Sequence, residues 1–322
     1  MNGRRRAAVV LAAFVAVVSL IAIPQAAIGA EEPDHPVAVK HGSALMSFAL
    51  PKSAGDLITP NALNYAQPGR AGTPLLLFLP ATGAVPAHYQ QFLSTASSIG
   101  FHVLALDYWN RGKSVVRTCA GDPRCYTAVQ QNRFNGTSPT SFSAIAPQDS
   151  ILSRLRAALS YLTRSDPSGG WGKYSTNGRI NWSRIVLAGH SQGGGESAFI
   201  AHGHAVHGVL MFSSPVESDN GVAASWMATP GKTPASSMYG LVNYNDIYVH
   251  HVVGSWSALG LGTPVDSTTL PAGNKAHAIV NTLDLGNPEQ SHGRSVSDST
   301  PRNASGVPIL KPVWTWMLKQ VL

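Results

Sequence analysis

Short, unbroken apolar runs alternate along this chain with amphipathic stretches. Leu75-Leu76-Leu77-Phe78-Leu79 is apolar at every position, as expected of a strand covered on both faces of a parallel sheet. Residues 101–108, 184–188, 207–213, 237–243 and 277–283 have the same short β-type character. Residues 88–98, 147–164, 248–261 and 312–322 read as helices, and a further helix is expected to start just after residue 191. The clearest spans 147–164: Ile151, Leu152, Leu155, Leu159 and Leu162 share one face, while Arg154, Arg156 and Arg164 fall mostly off it. Pro147 suits its first turn. Residues 36–50 are expected to supply one or two edge strands, and residues 53–72 read as loop. Residues 109–147 show little periodicity and read as a long loop insertion forming a wall or partial cap. The alternation of strand and helix predicts an α/β chain with a mostly parallel central sheet and helices on both faces.

The first thirty residues fall outside that pattern. Arg4-Arg5-Arg6 precede an uncharged apolar run over residues 7–23, and small residues follow at Ala26, Ala27, Gly29 and Ala30. This is the pattern of a secretory signal peptide cleaved near residue 29 or 30, with Sec and twin-arginine export both open. The run is about 17 residues, at the lower end of what spans a bilayer, so no membrane span is expected after cleavage. The remaining residues, 31–322, are sized for one large α/β domain. Three of the net +7 charges lie in the leader, which leaves +4 on the mature chain, and charged residues make up only 12%. The excess is scattered, so no nucleic-acid partner is indicated. Cys119 and Cys125 are the two cysteines. In an exported chain such a close pair is expected to form a disulfide closing a small loop.

The candidate chemistry centres on Gly189-His190-Ser191-Gln192-Gly193, a G-x-S-x-G sequence with a β-type run before it and a helix expected after it. That context lifts a serine hydroxyl out of a sharp turn at the C-terminal edge of a sheet. With the order of elements and the strand Phe101-His102-Val103-Leu104-Ala105-Leu106-Asp107-Tyr108, it makes the chain resemble the α/β-hydrolase superfamily over roughly residues 71–322. The region after Gly100 and the loop near Pro80 are similar to the secreted bacterial lipase and cutinase-like branch.

The resemblance implies a nucleophile, acid, base order along the chain. Ser191 is then the nucleophile. Asp246, just beyond the second strand after the elbow, is the acid, with Asp284 and Asp266 as competitors. His292 is the base, because among twelve histidines it lies in a polar stretch after the last strand. His190, inside the elbow, is expected to face away from the reaction, and His277 to be packed. A serine hydroxyl needs such a base, and imidazole titrates near neutrality. The amide of Gln192 is the expected first oxyanion donor. By resemblance, Thr82 in Pro80-Ala81-Thr82-Gly83-Ala84 supplies the second, with Ala81 the alternative. No metal-binding or dinucleotide motif is present, and neither metal nor other cofactor is expected. Trp109, Trp171, Trp226 and Trp256 could line a cleft or fill the core.

These residues predict a secreted, extracellular or periplasmic serine hydrolase acting on small-molecule or polymeric carboxylic esters through an acyl-enzyme. A peptidase or acyltransferase on the same fold, and a non-catalytic hydrolase-like binding protein, are the alternatives. Oligomeric state is not encoded in any feature of the sequence.

Overall fold

The computed structural model describes residues 45–50, 62–270 and 276–322. All of them lie in one compact unit. The leader, and most of the edge-strand region expected over residues 36–50, lie outside the described residues. The central sheet has nine strands among the described residues. In chain order they are β1 (Met46–Phe48), β2 (Asn64–Gln67), β3 (Leu75–Leu79), β4 (His102–Ala105), β5 (Ile185–His190), β6 (Gly208–Phe212), β7 (Met238–Asn243), β8 (Val265–Asp266) and β9 (Ala278–Asn281). Across the sheet the order is β1-β2-β4-β3-β5-β6-β7-β9-β8. β2 runs against both neighbours, and every other neighbouring pair is parallel. This topology, with helices on both faces, is the α/β-hydrolase fold.

The apolar runs explain why the interior strands form where they do. Successive side chains on a strand point to opposite faces. Leu75, Leu77 and Leu79 enter one core, with Ile185, Leu187, Val209 and Met211. Leu76 and Phe78 enter the other, with Val186, Ala188, Leu210 and Phe212. Two helices close this second face, α1 (Gln90–Ile99) and α8 (Lys311–Gln320). The first face is covered by α4 (Ile151–Ser165), α5 (Gln192–Gly203) and α6 (Val249–Leu259). Trp171, Trp226 and Trp256 are buried in that core, and none of the four tryptophans lines the cavity beside Ser191.

Three expectations are corrected. Residues 53–72 include strand β2, whose Asn64-Tyr65-Ala66-Gln67 alternation buries only Asn64 and Ala66 and so carries a weak apolar signal. Residues 109–147 are not structureless. They hold α2 (Val115–Cys119) and α3 (Pro123–Asn135), and the disulfide Cys119–Cys125 joins the two. α3 escapes a periodicity search because its buried side includes Gln130, Asn132 and Arg133. It packs against α4 and α5 as part of the body of the fold. Arg154, expected to lie off the buried face of α4, is itself buried. Its Nε donates to the Asp107 carbonyl at 2.6 Å, and its guanidinium lies 3.6 Å from the Asp107 carboxylate.

Burial pushes the Asp107 carboxyl up to about 6, against the pull of Arg154. Replacing Arg154 with Met leaves that carboxylate buried without its cation. The expected loss is about 3–5 kcal/mol of stability near neutral pH, read by urea unfolding. Because Asp107 is protonated more readily in the folded chain, the deficit should shrink between pH 8 and pH 5. A deficit that grows towards acid would contradict this account of the pair.

Candidate active site

Ser191 caps the start of α5 at the end of β5, with φ 51° and ψ −118°. A non-glycine residue with positive φ is strained. The turn that holds it is tight on both sides. A β-carbon at Gly189 would strike the backbone of Gly193, and one at Gly193 would strike the carbonyls of Leu79 and Pro80. The Ser191 amide donates to the Phe212 carbonyl at 2.8 Å, which ties the elbow to the neighbouring strand β6.

The three residues predicted from the sequence meet here. His292 Nε2 lies 2.9 Å from Ser191 Oγ, and Nδ1 lies 3.0 Å from both carboxylate oxygens of Asp246. A carboxylate only accepts, so Nδ1 carries the proton and Nε2 is the acceptor facing the serine. Asp246 has a fully buried side chain and also accepts from the Tyr248 amide at 2.8 Å. The competitors stand elsewhere: Asp266 caps Thr268, and Asp284 accepts from Gly286.

His292 lies not in loop but in the last turn of a short helix, α7 (Pro288–Gly293). Asn287 and Gln290 form a reciprocal capping box, with Pro288 in the first turn. The sequence Asn287-Pro288-Glu289-Gln290 carries that signal. Asn245 Nδ2 donates to the Gly286 carbonyl at 2.9 Å, and the Ile247 amide to the Pro288 carbonyl at 3.2 Å. The turn that carries Asp246 and the helix that carries His292 are thereby fastened together.

The loop after β3 is held from three directions. Asn110 Nδ2 donates to the carbonyls of Ala81 and Ala84, and the Asn110 carbonyl accepts from the Gly83 amide. The Ala81 amide donates to Tyr89 Oη at 3.1 Å, so this alternative oxyanion donor is already engaged. The Thr82 hydroxyl donates to Gln192 Oε1 at 2.8 Å, which joins the two expected donor residues side chain to side chain. Gln192 Nε2 in turn donates to Tyr108 Oη at 3.3 Å. Gln192 opens α5, where amides have no partner within the helix.

His190 does not turn away from the site. It is buried, lines the cavity, and its ring centroid is 5.3 Å from that of His292. Its Nε2 donates to the His292 carbonyl at 2.9 Å, and its Nδ1 accepts from Tyr89 Oη at 3.0 Å. Tyr89 and His190 therefore connect the loop at Ala81 to the backbone of His292. Sequence reasoning missed this relay, and it missed Tyr248, whose ring meets His292 edge-on at 5.1 Å. It also missed a buried polar group behind α5. There Glu217 accepts from Trp226 Nε1 at 2.7 Å and from Gln130 Nε2, and burial pushes its carboxyl up to about 7. Arg133 and Glu196 are buried beside it.

A cavity of 870 Å³ opens over Ser191 and His292, within the size range of small-molecule sites. Among the described residues no helix is long and apolar enough to cross a membrane.

No family model matches the chain, and no curated protein matches it. Solved structures similar to it include an esterase from Pyrococcus furiosus, at 10% identity and TM-score 0.45 over 86% of this chain and 90% of that one. An S-formylglutathione hydrolase from Agrobacterium tumefaciens gives 11% identity and TM-score 0.45, over 88% and 98% of the two chains. A hormone-sensitive lipase from a metagenome library gives 14% and 0.40, over 85% of each. Likenesses this distant carry no argument about activity, and the functional reading rests on the geometry above.

Burial, then the neighbouring His292, lower His190 to about 3. Its ring nitrogens should keep the shifts of the neutral Nε2–H tautomer from pH 8 down to pH 4 in ¹⁵N-edited NMR. A protonation midpoint near 6.5 would contradict the relay.

Proposed function

We propose that this chain is a serine hydrolase that cleaves carboxylic esters through an acyl-enzyme. The observation that carries the reading is the line Ser191 Oγ, His292 Nε2, His292 Nδ1, Asp246, with separations of 2.9 and 3.0 Å. Those are proton-transfer distances.

In this reading Ser191 Oγ attacks the ester carbonyl while His292 Nε2 takes its proton. Asp246 holds the imidazole in the required tautomer and stabilises the imidazolium. The amides of Thr82 and Gln192 donate to the oxyanion, and the clamp between their side chains keeps both in register before substrate arrives. Collapse expels the alcohol, which receives the proton from His292. Water then attacks the acyl group with His292 as base, and free acid leaves Ser191. No metal or redox group enters any step.

We also propose that the chain is exported and its first thirty residues removed. The basic, apolar and small-residue sequence of the leader supports this, and so does the disulfide, which persists in oxidising compartments.

Steady-state hydrolysis of p-nitrophenyl esters tests the activity. Ser191→Ala and His292→Ala should each lower kcat/KM on the order of 10⁴-fold or more, with circular dichroism unchanged. A matched p-nitroanilide should be cleaved far more slowly than the ester. Near wild-type ester turnover by a folded Ser191→Ala protein would remove the mechanism, and faster turnover of the anilide would assign a peptidase.

A further inference from the structure

The charge on the cavity walls is unevenly placed. Arg111, Lys113 and Arg117 are three of the chain's 23 basic residues, and no acidic residue occurs between Asn110 and Gly121. The sequence shows only a diffuse positive excess, but the fold sets part of it over the candidate nucleophile. Lys113, Ser114 and Arg117 line the same cavity as Ser191 and His292. Lys113 precedes Ser114, the N-cap of α2, and Arg117 lies within the helix, so both stand at the same short element. Neither forms an ion pair with a carboxylate among the described residues. Between them, Ser114 Oγ is buried and has no hydrogen-bond partner among the described residues.

The cavity's two surface carboxylates, Asp298 and Glu289, lie apart from this group, each at the start of a helix. Asp298 lines the cavity, but its two carboxylate oxygens accept from the Gln90 and Gln91 amides at 3.0 and 2.8 Å. It is committed to the start of α1. Glu289 sits in the first turn of α7, where a helix N-terminus favours negative charge. The α2 wall is also fixed in place. Its last residue, Cys119, is buried and bonded to Cys125 of α3, which packs on the body of the fold. A wall built only to exclude water would not need two unpaired cations in a chain with 12% charged residues.

We propose that the side chains of Lys113 and Arg117 form an anion subsite, and that the preferred substrate is an ester carrying a carboxylate several bonds from the scissile carbonyl. The inference rests on the ester-hydrolase reading of Ser191 and gives it a substrate class. Arg117 and Lys113 supply charge-assisted hydrogen bonds to the carboxylate. The subsite is open to solvent, so its contribution is modest and sensitive to salt.

Mono-p-nitrophenyl esters of adipic and suberic acid, compared with the uncharged hexanoate and octanoate, test this directly. The purified mature protein should favour the charged ester of at least one pair by about tenfold in kcat/KM, mainly through KM. The preference should fall towards one in 0.5 M NaCl, and also in the double variant Lys113→Gln/Arg117→Gln. Arg117→Glu should reverse it. Equal kcat/KM for charged and uncharged esters in the wild type, or a preference that survives the double substitution, would overturn the subsite while leaving the esterase reading intact. Absence of turnover on all four esters would instead remove the reading on which it rests.

Discussion

Ser191 occupies a backbone conformation that side chains disfavour, and the geometry of the site follows from holding it there. A strained, non-glycine φ costs on the order of 1–3 kcal/mol and persists only where its surroundings leave no alternative. Here those surroundings are close backbone contacts. Gly189 and Gly193 have no room for a β-carbon, because the turn is pressed against itself and against the end of β3. That contact also places the loop after β3 beside the start of α5. The candidate nucleophile and both expected oxyanion donors are thus positioned by one packing arrangement.

A second layer of polar groups maintains the arrangement. Thr82 and Gln192, the two expected oxyanion donors, join through their side chains. Tyr89 and His190 run behind it, from the Ala81 amide to the His292 carbonyl. That carbonyl also accepts from Ser213 and Ser295, at 3.3 and 3.2 Å. His292 is therefore held by its backbone as well as by Asp246. Loss of any one of these hydrogen bonds should loosen the site without dismantling the sheet, which is held by the apolar cores on its two faces.

The parallel strands β3, β4, β5, β6, β7 and β9 and the candidate triad were legible in the sequence because they leave local signals. Buried parallel strands read as unbroken apolar runs, and the elbow reads as glycines around a serine between strand and helix. What was hidden depends on polar groups turned inward. α3 buries Gln130, Asn132 and Arg133, so its buried side follows no simple apolar period, and α4 buries Arg154 within an otherwise apolar face. Their partners, Glu217 for Gln130 and Asp107 for Arg154, are distant in sequence. His190 was misread for the same reason, since its partners Tyr89 and His292 lie about a hundred residues away on either side. The charge of the cavity wall was hidden differently. Lys113 and Arg117 are close in sequence, but nothing local shows that they line the cavity beside Ser191.

The central claim is that Ser191 is a nucleophile activated by His292. A fluorophosphonate reacts covalently with such a serine and with little else, so the measurement is peptide mass spectrometry of the labelled protein. The account predicts one adduct per chain, on Ser191, at a rate that falls at least a hundredfold in His292→Ala. An unlabelled Ser191 in the folded wild-type protein, or labelling indifferent to His292, would contradict it.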